Sequence, residues 1–317
     1  MPLLPASCDG SSQTSDRTEP VTVGNATLHY RGRALLDAHL FELERRFSFL
    51  STATEVIISG TSAGGLSTYL HSSFIKSQLR APGARLVAVP DAGWWWETPQ
   101  YGSSGSIWVE TIQRSIVPTM WNATLRGGLA ACLAAPPRGI PALCYSQPSA
   151  YAYLDVPTFV VQSMADPANF AYCWRPPCSL SGNTPGTCTP QEVAAILVYG
   201  SNMAGNITAA QAQFGGRDGK FLTSCQQHEE TCRSFDWWGI TINGATMNST
   251  FTAWYLGTPG VATSVVDAPW PSDATCTCVR WRERARARAR PSRLTPPLPK
   301  PQPFRRYSYK SPHGACR

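Results

Sequence analysis

The stretch Gly60-Thr61-Ser62-Ala63-Gly64-Gly65 decides the fold of this chain. It follows Glu55-Val56-Ile57-Ile58-Ser59, a short β-branched apolar run that predicts a buried strand. After it, apolar residues recur at the spacing of one helix face, at Leu66, Tyr69, Leu70 and Phe74. Gly-x-Ser-x-Gly between a strand and a helix is the pattern of a nucleophile elbow, in which glycines permit a tight turn and expose the serine oxygen. The sequence therefore predicts Ser62 as a nucleophile; the alternative is a plain glycine-rich turn.

Further apolar runs alternate with helical patterns along the chain. Strands are predicted near residues 26–30, 85–89, 157–162 and 220–223. A helix is predicted before the elbow strand, with Leu36, Leu40, Leu43 and Phe47 on one face, and another through Phe251, Trp254 and Tyr255. This alternation favours an α/β fold with a mainly parallel sheet flanked by helices.

Two long stretches between the later strands, roughly residues 94–150 and 167–217, are rich in Gly, Pro, Ser, Trp and Cys. We expect them to be irregular, disulfide-rich insertions above the carboxyl edge of the sheet, where open α/β folds place their sites. The first begins with Trp94-Trp95-Trp96. Aromatic side chains suit stacking on sugar rings or lining an acyl pocket, so Trp94 and Trp95 are candidate substrate-binding residues. The alternative is that they pack beneath the insertion.

Charge divides the chain of 317 residues into two parts. Residues 279–317 contain 12 Lys/Arg and one acid, whereas residues 1–278 contain 15 Lys/Arg and 19 Asp/Glu. We expect one domain over residues 1–278 and a basic Arg/Pro-rich disordered tail over residues 279–317. The mildly acidic domain calls for no nucleic-acid partner, although the tail leaves docking to an anionic polymer as an alternative. No apolar run reaches the 18 residues of a membrane-spanning helix.

Cysteines and glycosylation sequons indicate the compartment. Ten of the 11 cysteines lie before residue 279, without a paired Cys-x-x-Cys zinc pattern. Four Asn-x-Ser/Thr sequons begin at Asn25, Asn122, Asn206 and Asn248. Together they favour a secreted protein with disulfides, whose pairing the sequence leaves open. The first residues do not form a signal peptide. We therefore expect that the true N-terminus is absent from this chain; the alternative is another compartment.

A nucleophilic serine needs a base that accepts its proton and an acid that orients the base. With this elbow the chain order is serine, then acid, then histidine. Of the five histidines, only His228 lies in a loop after a late predicted strand, which makes it the candidate base. The alternative is a structural histidine or a metal ligand beside Cys225 or Cys232.

Asp166 is the candidate acid, because it lies just beyond the strand predicted at residues 157–162. Asp91 follows an earlier strand and is a weaker candidate. For Asp91 we favour a structural role, as a carboxylate that accepts backbone N–H groups and anchors a loop.

Seven short segments of the chain, taken in their order along it, resemble the pectin acetylesterase / Notum family. The resemblance covers roughly residues 7–278, and its segments are Ser7–Ser12, Tyr30–Gly32, Thr61–Leu66, Asp91–Gly93, Gln162–Asp166, Thr223–His228 and Thr252–Tyr255. It implies an α/β-hydrolase-like fold, carboxylic ester hydrolysis by Ser62, Asp166 and His228, no cofactor, and secretion with disulfides and N-glycans.

The chain departs from the family pattern in two places. Family members usually have cysteine at the position of Thr61, whose side chain takes no part in the chemistry. They also have a Gly-Gly-Gly-Trp-like loop, before the position of Cys8, that helps to form the oxyanion hole. The sequence begins after this loop, so Ala63 N–H is the one oxyanion donor we can assign, and we expect a domain that is incomplete at its N-terminus with an uncovered sheet edge.

The resemblance implies a serine esterase that forms an acyl-Ser62 intermediate. An acetylated cell-wall or matrix polysaccharide is the expected substrate, and an acyl-protein or lipid ester is the alternative. A catalytically inactive, secreted glycan-binding homologue is the other class of function that the sequence leaves open. We expect a monomer without a bound metal.

Overall fold

The computed structural model of the chain describes residues 9–106, 117, 119–231, 234–271 and 275–276. The predicted tail, residues 279–317, and the opening residues of the family resemblance lie outside the described residues.

The regular elements alternate along the chain as the sequence predicts. The strands are β1 (Val21–Val23), β2 (Ala26–Leu28), β3 (Glu55–Thr61), β4 (Arg85–Asp91), β5 (Phe159–Ser163), β6 (Gly219–Thr223), β7 (Thr241–Ile242), β8 (Ala245–Thr246) and β9 (Ser264–Val266). The α-helices are α1 (Gly32–Phe47), α2 (Phe49–Thr52), α3 (Ala63–Gln78), α4 (Leu129–Ala134), α5 (Gln147–Ala150), α6 (Pro167–Asn169), α7 (Pro190–Ala212), α8 (Ser234–Gly239) and α9 (Met247–Leu256). Short 3₁₀ turns lie at Pro137–Gly139, Pro141–Tyr145 and Tyr151–Tyr153, and a π-helical turn at Phe170–Trp174.

The central sheet is parallel throughout its described strands. Its order is β3-β4-β5-β6-β9, so the carboxyl ends of β3, β4, β5 and β6 meet at one edge. β1–β2 and β7–β8 are separate antiparallel hairpins. The parallel sheet with flanking helices confirms the predicted α/β architecture.

Both faces of the sheet are buried at β4, β5 and β6, and successive residues of each strand point to opposite faces. In β5, Phe159 and Val161 pack with Trp254 of α9, whereas Val160 packs on the other face with Tyr69 of α3. This explains why the strands read as continuous apolar runs rather than as an alternation of apolar and polar residues.

Strand β3 forms one edge of this sheet in the described part of the chain, because β4 is its one ladder partner there. The prediction that β3 is a buried strand is therefore wrong, because Val56 is its one buried residue and Ile57 is 49% exposed. Phe47 on α1 is 51% exposed. The sequence pattern placed Phe47 on the buried face of its helix, which is wrong. Leu36 and Leu40 of the same pattern are buried.

The second insertion differs from its prediction, because helix α7 occupies residues 190–212 of a stretch expected to be irregular. Thr189 caps the helix by accepting the N–H of Glu192, whose side chain in turn accepts the N–H of Thr189. Buried Ile196, Met203 and Ile207 form its inner face. The capping-box pattern and a helical apolar spacing were therefore present in the sequence, within a segment that its Gly and Cys content marked as loop.

Three disulfides join described cysteines: Cys132–Cys144, Cys178–Cys188 and Cys225–Cys276. The first two close loops within the insertions, as expected. Cys173 is a buried thiol, and burial raises its pKa. Among the described helices, none combines the length and the apolar character that a bilayer span requires.

Candidate active site

Ser62 lies at the turn between β3 and α3, in a conformation that L-residues rarely adopt. Its φ is 57° and its ψ is −120°. Its backbone N–H donates to the main-chain oxygen of Asp91 at 2.9 Å, which fixes the turn against β4. A strained serine between a parallel strand and a helix is the geometry of a nucleophile elbow.

Glycine is required around this turn because backbone packs directly on backbone. A Cβ on Gly60 would lie 2.4 Å from the carbonyl oxygen of Gly64. A Cβ on Gly65 would lie 2.5 Å from the oxygen of Asp91 and 2.8 Å from the Cα of Gly93. The sequence pattern is thus explained by contact of α3 with both β3 and the turn after β4.

Ala63, the predicted oxyanion donor, is the first residue of α3 and is exposed. The N–H groups of a helix's first turn have no acceptor within the helix and lie at the positive end of its dipole. Its position directly after Ser62 therefore suits an N–H that stabilises negative charge on a substrate oxygen.

Asp166 lies just after β5 and is fully buried. Its carboxylate accepts the N–H of Ala168 at 2.7 Å, the amide of Gln162 at 3.0 Å and the amide of Asn169 at 3.3 Å. These three donors hold the carboxylate in one orientation.

His228 lies in the loop after β6, and its Nδ1 is 3.0 Å from both carboxylate oxygens of Asp166. Burial opposes charge on the ring, but the hydrogen bond and charge of Asp166, together with Glu229 and Asp91, raise the pKa of His228. With Nδ1–H donating to Asp166, the Nε2 lone pair is left as the basic atom. The alternative of a metal site is not supported, because Cys225 is in a disulfide and the described residues contain no metal-binding cluster; Cys232 lies outside the described residues.

The loop of His228 contacts the elbow. The hydroxyl of Thr61 donates to the Glu229 carboxylate at 3.4 Å, so the residues directly before Ser62 and directly after His228 are neighbours. The three sequence-predicted catalytic residues thus follow three strands, β3, β5 and β6, at the same edge of the sheet.

Asp91 anchors a loop, as the favoured interpretation of the sequence had it. Its carboxylate accepts the backbone N–H of Glu230 and both the N–H and the hydroxyl of Thr231. Burial raises the pKa of Asp91, against the effect of these hydrogen bonds.

The two tryptophans proposed for substrate binding differ in position. Trp94 is fully buried, edge-on to Tyr69, which favours the packing alternative and makes it unsuitable as a stacking platform. Trp95 is 6% exposed, and its ring centroid lies 6.0 Å from that of His228 and 6.2 Å from that of Tyr172. Trp95 therefore forms a wall beside the imidazole, next to an exposed tyrosine.

Three buried amides, which the sequence did not single out, position this wall. The backbone N–H groups of Trp94, Trp95 and Trp96 donate to Gln162, Gln147 and Asn169, at 3.1, 3.1 and 3.5 Å. Because Gln162 and Asn169 also donate to Asp166, the aromatic segment and the acid share supports. Gln162 had a visible signal, since it is a polar residue inside an apolar strand and must find buried partners.

Comparisons with known proteins identify the family of the chain and agree with its fold. The family model for pectinacetylesterase matches residues 6–277. The chain is 25% identical over 235 residues to palmitoleoyl-protein carboxylesterase NOTUM of Schmidtea mediterranea, covering 72% of this chain and 41% of the relative. It is 23% identical over 282 residues to pectin acetylesterase 5 of Arabidopsis thaliana, covering 85% and 62%.

A solved structure of the Wnt deacylase Notum from Drosophila matches with a TM-score of 0.67 and 20% identity, covering 85% of this chain and 72% of that one. This likeness shows the fold, which is α/β-hydrolase-like as expected. The chain spans 41% and 62% of the length of the two curated relatives. With the family model covering residues 6–277 of 317, the chain belongs to the pectinacetylesterase family.

Proposed function

We propose that this protein is a serine carboxylic ester hydrolase that removes O-acetyl groups from a polysaccharide. The observation that carries the proposal is the strained Ser62 at the carboxyl edge of the sheet, together with the hydrogen-bonded pair of Asp166 and His228 at the same edge, where the loop of His228 contacts Thr61. A serine on such a turn next to an acid–imidazole pair is the arrangement that acyl transfer requires.

In the first step, Ser62 Oγ attacks the ester carbonyl while Nε2 of His228 accepts its proton. Asp166 stabilises the imidazolium through Nδ1–H and holds the ring in the productive tautomer. The oxyanion of the tetrahedral intermediate accepts the N–H of Ala63. Collapse of the intermediate releases the alcohol, which takes the proton from His228, and leaves an acyl group on Ser62.

In the second step, His228 accepts a proton from water, which attacks the acyl-Ser62 carbonyl. The second tetrahedral intermediate expels Ser62 Oγ, which takes the proton back, and the carboxylic acid leaves. The side chains supply every proton transfer, so the proposal includes no cofactor.

The proposed setting is an oxidising, secretory compartment, with the protein acting as a monomer. Three disulfides between described cysteines support the secretory compartment, and so do the exposed sequon asparagines Asn25 and Asn122. Asn206 is less suited to glycosylation, because it lies inside α7.

The test is hydrolysis of p-nitrophenyl acetate and of acetylated pectin by the wild type, Ser62→Ala and Ser67→Ala. Ser67 is the matched control, because it lies on the same helix and its hydroxyl bonds Gln13. We expect Ser62→Ala to lose at least about 10⁴-fold in kcat, whereas Ser67→Ala retains activity. Equal activity in wild type and Ser62→Ala, or none in the wild type, would overturn the proposal. Binding of acetylated pectin without turnover would instead support an inactive glycan-binding protein.

A second candidate is deacylation of an acyl-protein or lipid ester. It is favoured by Trp95, whose ring forms an apolar wall beside His228, and by the relative named a palmitoleoyl-protein carboxylesterase. Rates on p-nitrophenyl acetate and on the octanoate and longer esters distinguish the two. A strong preference for acyl chains beyond about eight carbons would favour this candidate over the acetylesterase, because each buried CH₂ adds about 0.8 kcal/mol.

A further inference from the structure

We infer that Asp91 is a positioning residue that ties the nucleophile turn to the loop of the base, and so sets how the two approach each other. The inference rests on the proposed function for its catalytic consequence. It uses both ends of one residue, the main-chain carbonyl and the side-chain carboxylate, which bond to two different parts of the site.

The main-chain end of Asp91 holds the nucleophile. Asp91 is the last residue of β4, where it is in register with Thr61 of β3 and Val161 of β5. Its carbonyl oxygen accepts the N–H of Ser62 at 2.9 Å. Because β4 lies between the strand of the nucleophile and the strand of the acid, Asp91 is central to the edge that carries both.

The side-chain end holds the loop of the base. One carboxylate oxygen accepts the N–H of Glu230 at 3.1 Å. The other accepts the N–H of Thr231 at 2.6 Å and its hydroxyl at 2.7 Å. These contacts fix the backbone two and three residues beyond His228, while Asp166 fixes the ring itself.

Each of the turns that Asp91 joins contains a residue with a left-handed backbone. Ser62, Ala92 and Glu229 each have a positive φ, of 57°, 48° and 68°. Left-handed backbone at residues other than glycine persists where surrounding contacts over-determine it. The carbonyl and carboxylate of Asp91 supply such contacts to the turns that contain Ser62 and Glu229, and Asp91 itself directly precedes Ala92.

The charges around the imidazole make this arrangement measurable. Asp166, Glu229 and Asp91 each act to raise the pKa of His228, against the effect of burial. Glu230 beside Asp91 is fully buried, and burial together with the charge of Asp91 raises its pKa well above the usual range. Replacing the carboxylate at position 91 by a neutral group of the same shape therefore moves the His228 titration to lower pH.

An asparagine tests the tie with minimal change in volume. Its oxygen still accepts one backbone N–H, but its NH₂ group cannot accept the N–H of Thr231. The matched control is Asp218→Asn. Asp218 is also buried and also accepts a backbone N–H, that of Thr158. It lies directly before β6, at the opposite end of the strands from the site. Thr231→Val is a milder variant, since it removes one of the three bonds to Asp91 and keeps the backbone N–H.

The experiment has two readouts on the full chain. The first is a proton NMR titration of His228, assigned by comparison with His228→Gln. The second is kcat, KM and the pH profile for p-nitrophenyl acetate. We expect Asp91→Asn to lower the pKa of His228, to move the acidic limb of kcat/KM to lower pH, and to reduce kcat by about 10- to 100-fold with KM little changed. Thr231→Val should reduce kcat less, and Asp218→Asn should change neither readout.

Each result decides between the two proposals. If Asp91→Asn lowers the melting temperature as Asp218→Asn does but leaves the His228 titration and kcat as in the wild type, Asp91 is merely structural and the inference is wrong. If Asp91→Asn does not fold, unchanged kcat in Thr231→Val overturns it. If Asp91→Asn shifts the His228 titration but the wild type shows no Ser62-dependent hydrolysis, the positioning role of Asp91 is supported and the proposed esterase activity is overturned. Ser62-dependent hydrolysis with an unshifted titration would do the reverse.

Discussion

Two buried aspartates lie at opposite ends of the strands of the same sheet, and their carboxylates have different partners. Asp218, before β6, pairs with the guanidinium of Arg217 at 2.8 Å and accepts the hydroxyl of Tyr151 at 3.0 Å. Asp166, after β5, faces neutral amide donors and the imidazole of His228.

The difference distinguishes a carboxylate that stabilises the fold from one that changes the pKa of a neighbouring group. A guanidinium is always protonated, so Asp218 has a cationic partner whose charge does not depend on pH. The imidazole of His228 can be neutral or protonated, and Asp166 raises its pKa by stabilising the protonated form. Asp218 therefore stabilises the fold at the amino ends of the strands, whereas Asp166 raises the pKa of His228 at their carboxyl ends.

Asp166→Asn should have the largest effect on activity. The amide removes the charge that stabilises a protonated His228 and allows the wrong ring tautomer, so we expect kcat for p-nitrophenyl acetate to fall by about 10³- to 10⁴-fold. The melting temperature should fall less than in Asp218→Asn. Retention of wild-type kcat would remove Asp166 from the catalytic assignment.

Asp218→Asn should have the opposite outcome. It leaves the guanidinium of Arg217, whose side chain is 23% exposed, without its carboxylate partner. We expect the free energy of unfolding to fall by about 3 kcal/mol, at the lower end for a broken buried pair, because Arg217 keeps some contact with water. Urea unfolding measures this change, and an activity loss in the folded variant comparable to that of Asp166→Asn would contradict the division between the edges.

His71 on α3 is a buried histidine, and its pKa shifts in the opposite direction to that of His228 because burial is the dominant effect on it. Burial lowers its pKa to about 4, from 6.5, while Nε2–H donates to the carbonyl of Ser12. The folded state thus binds fewer protons than the unfolded state between these values, so its contribution to stability is complete above pH 6.5 and is lost as pH falls towards 4.

The prediction is that the free energy of unfolding falls by about 2–3 kcal/mol more in the wild type than in His71→Gln between pH 7 and pH 4.5. Glutamine retains an amide donor for Ser12. Urea unfolding of both proteins at the two pH values cancels the contribution of other groups, and parallel losses would show that His71 does not titrate as its burial requires.

The last prediction concerns the buried amide that supports both Trp94 and Asp166. Gln162→Leu removes the acceptor for the N–H of Trp94 and one donor to Asp166, so we expect a loss of about 1–3 kcal/mol and roughly a tenfold fall in kcat. Gln211→Leu is the control, because Gln211 is a buried amide that donates to the carbonyl of Gly219 at the other edge. It should lose similar stability with kcat unchanged; equal kcat in the two variants would contradict the coupling.

Much of the architecture was predictable, because it depends on local patterns. The elbow, its strand and its helix occupy consecutive residues, and close packing around the turn requires glycines. The loop positions of Asp166 and His228 followed from chain order and from the strands before them. The catalytic roles of Ser62, Asp166 and His228 remain predictions.

What the sequence did not reveal depends on contacts between distant segments. Sequence separates Gln147 from Trp95 by 52 residues, and Cys225 from Cys276 by 51. Periodicity carries no information about such pairs. Strand β9 was missed for another reason: its sequence, Ser-Val-Val, is shorter than the runs of at least four residues by which a strand is recognised.

The contact between Gly65 and Gly93 has a consequence for how this enzyme family can diversify. Since main chain touches main chain there, no side chain can be enlarged or trimmed to change the spacing between α3 and the turn that leads to the tryptophans. We therefore expect differences in substrate preference within the family to arise further along the chain, at side chains such as Trp95 and the exposed Tyr172.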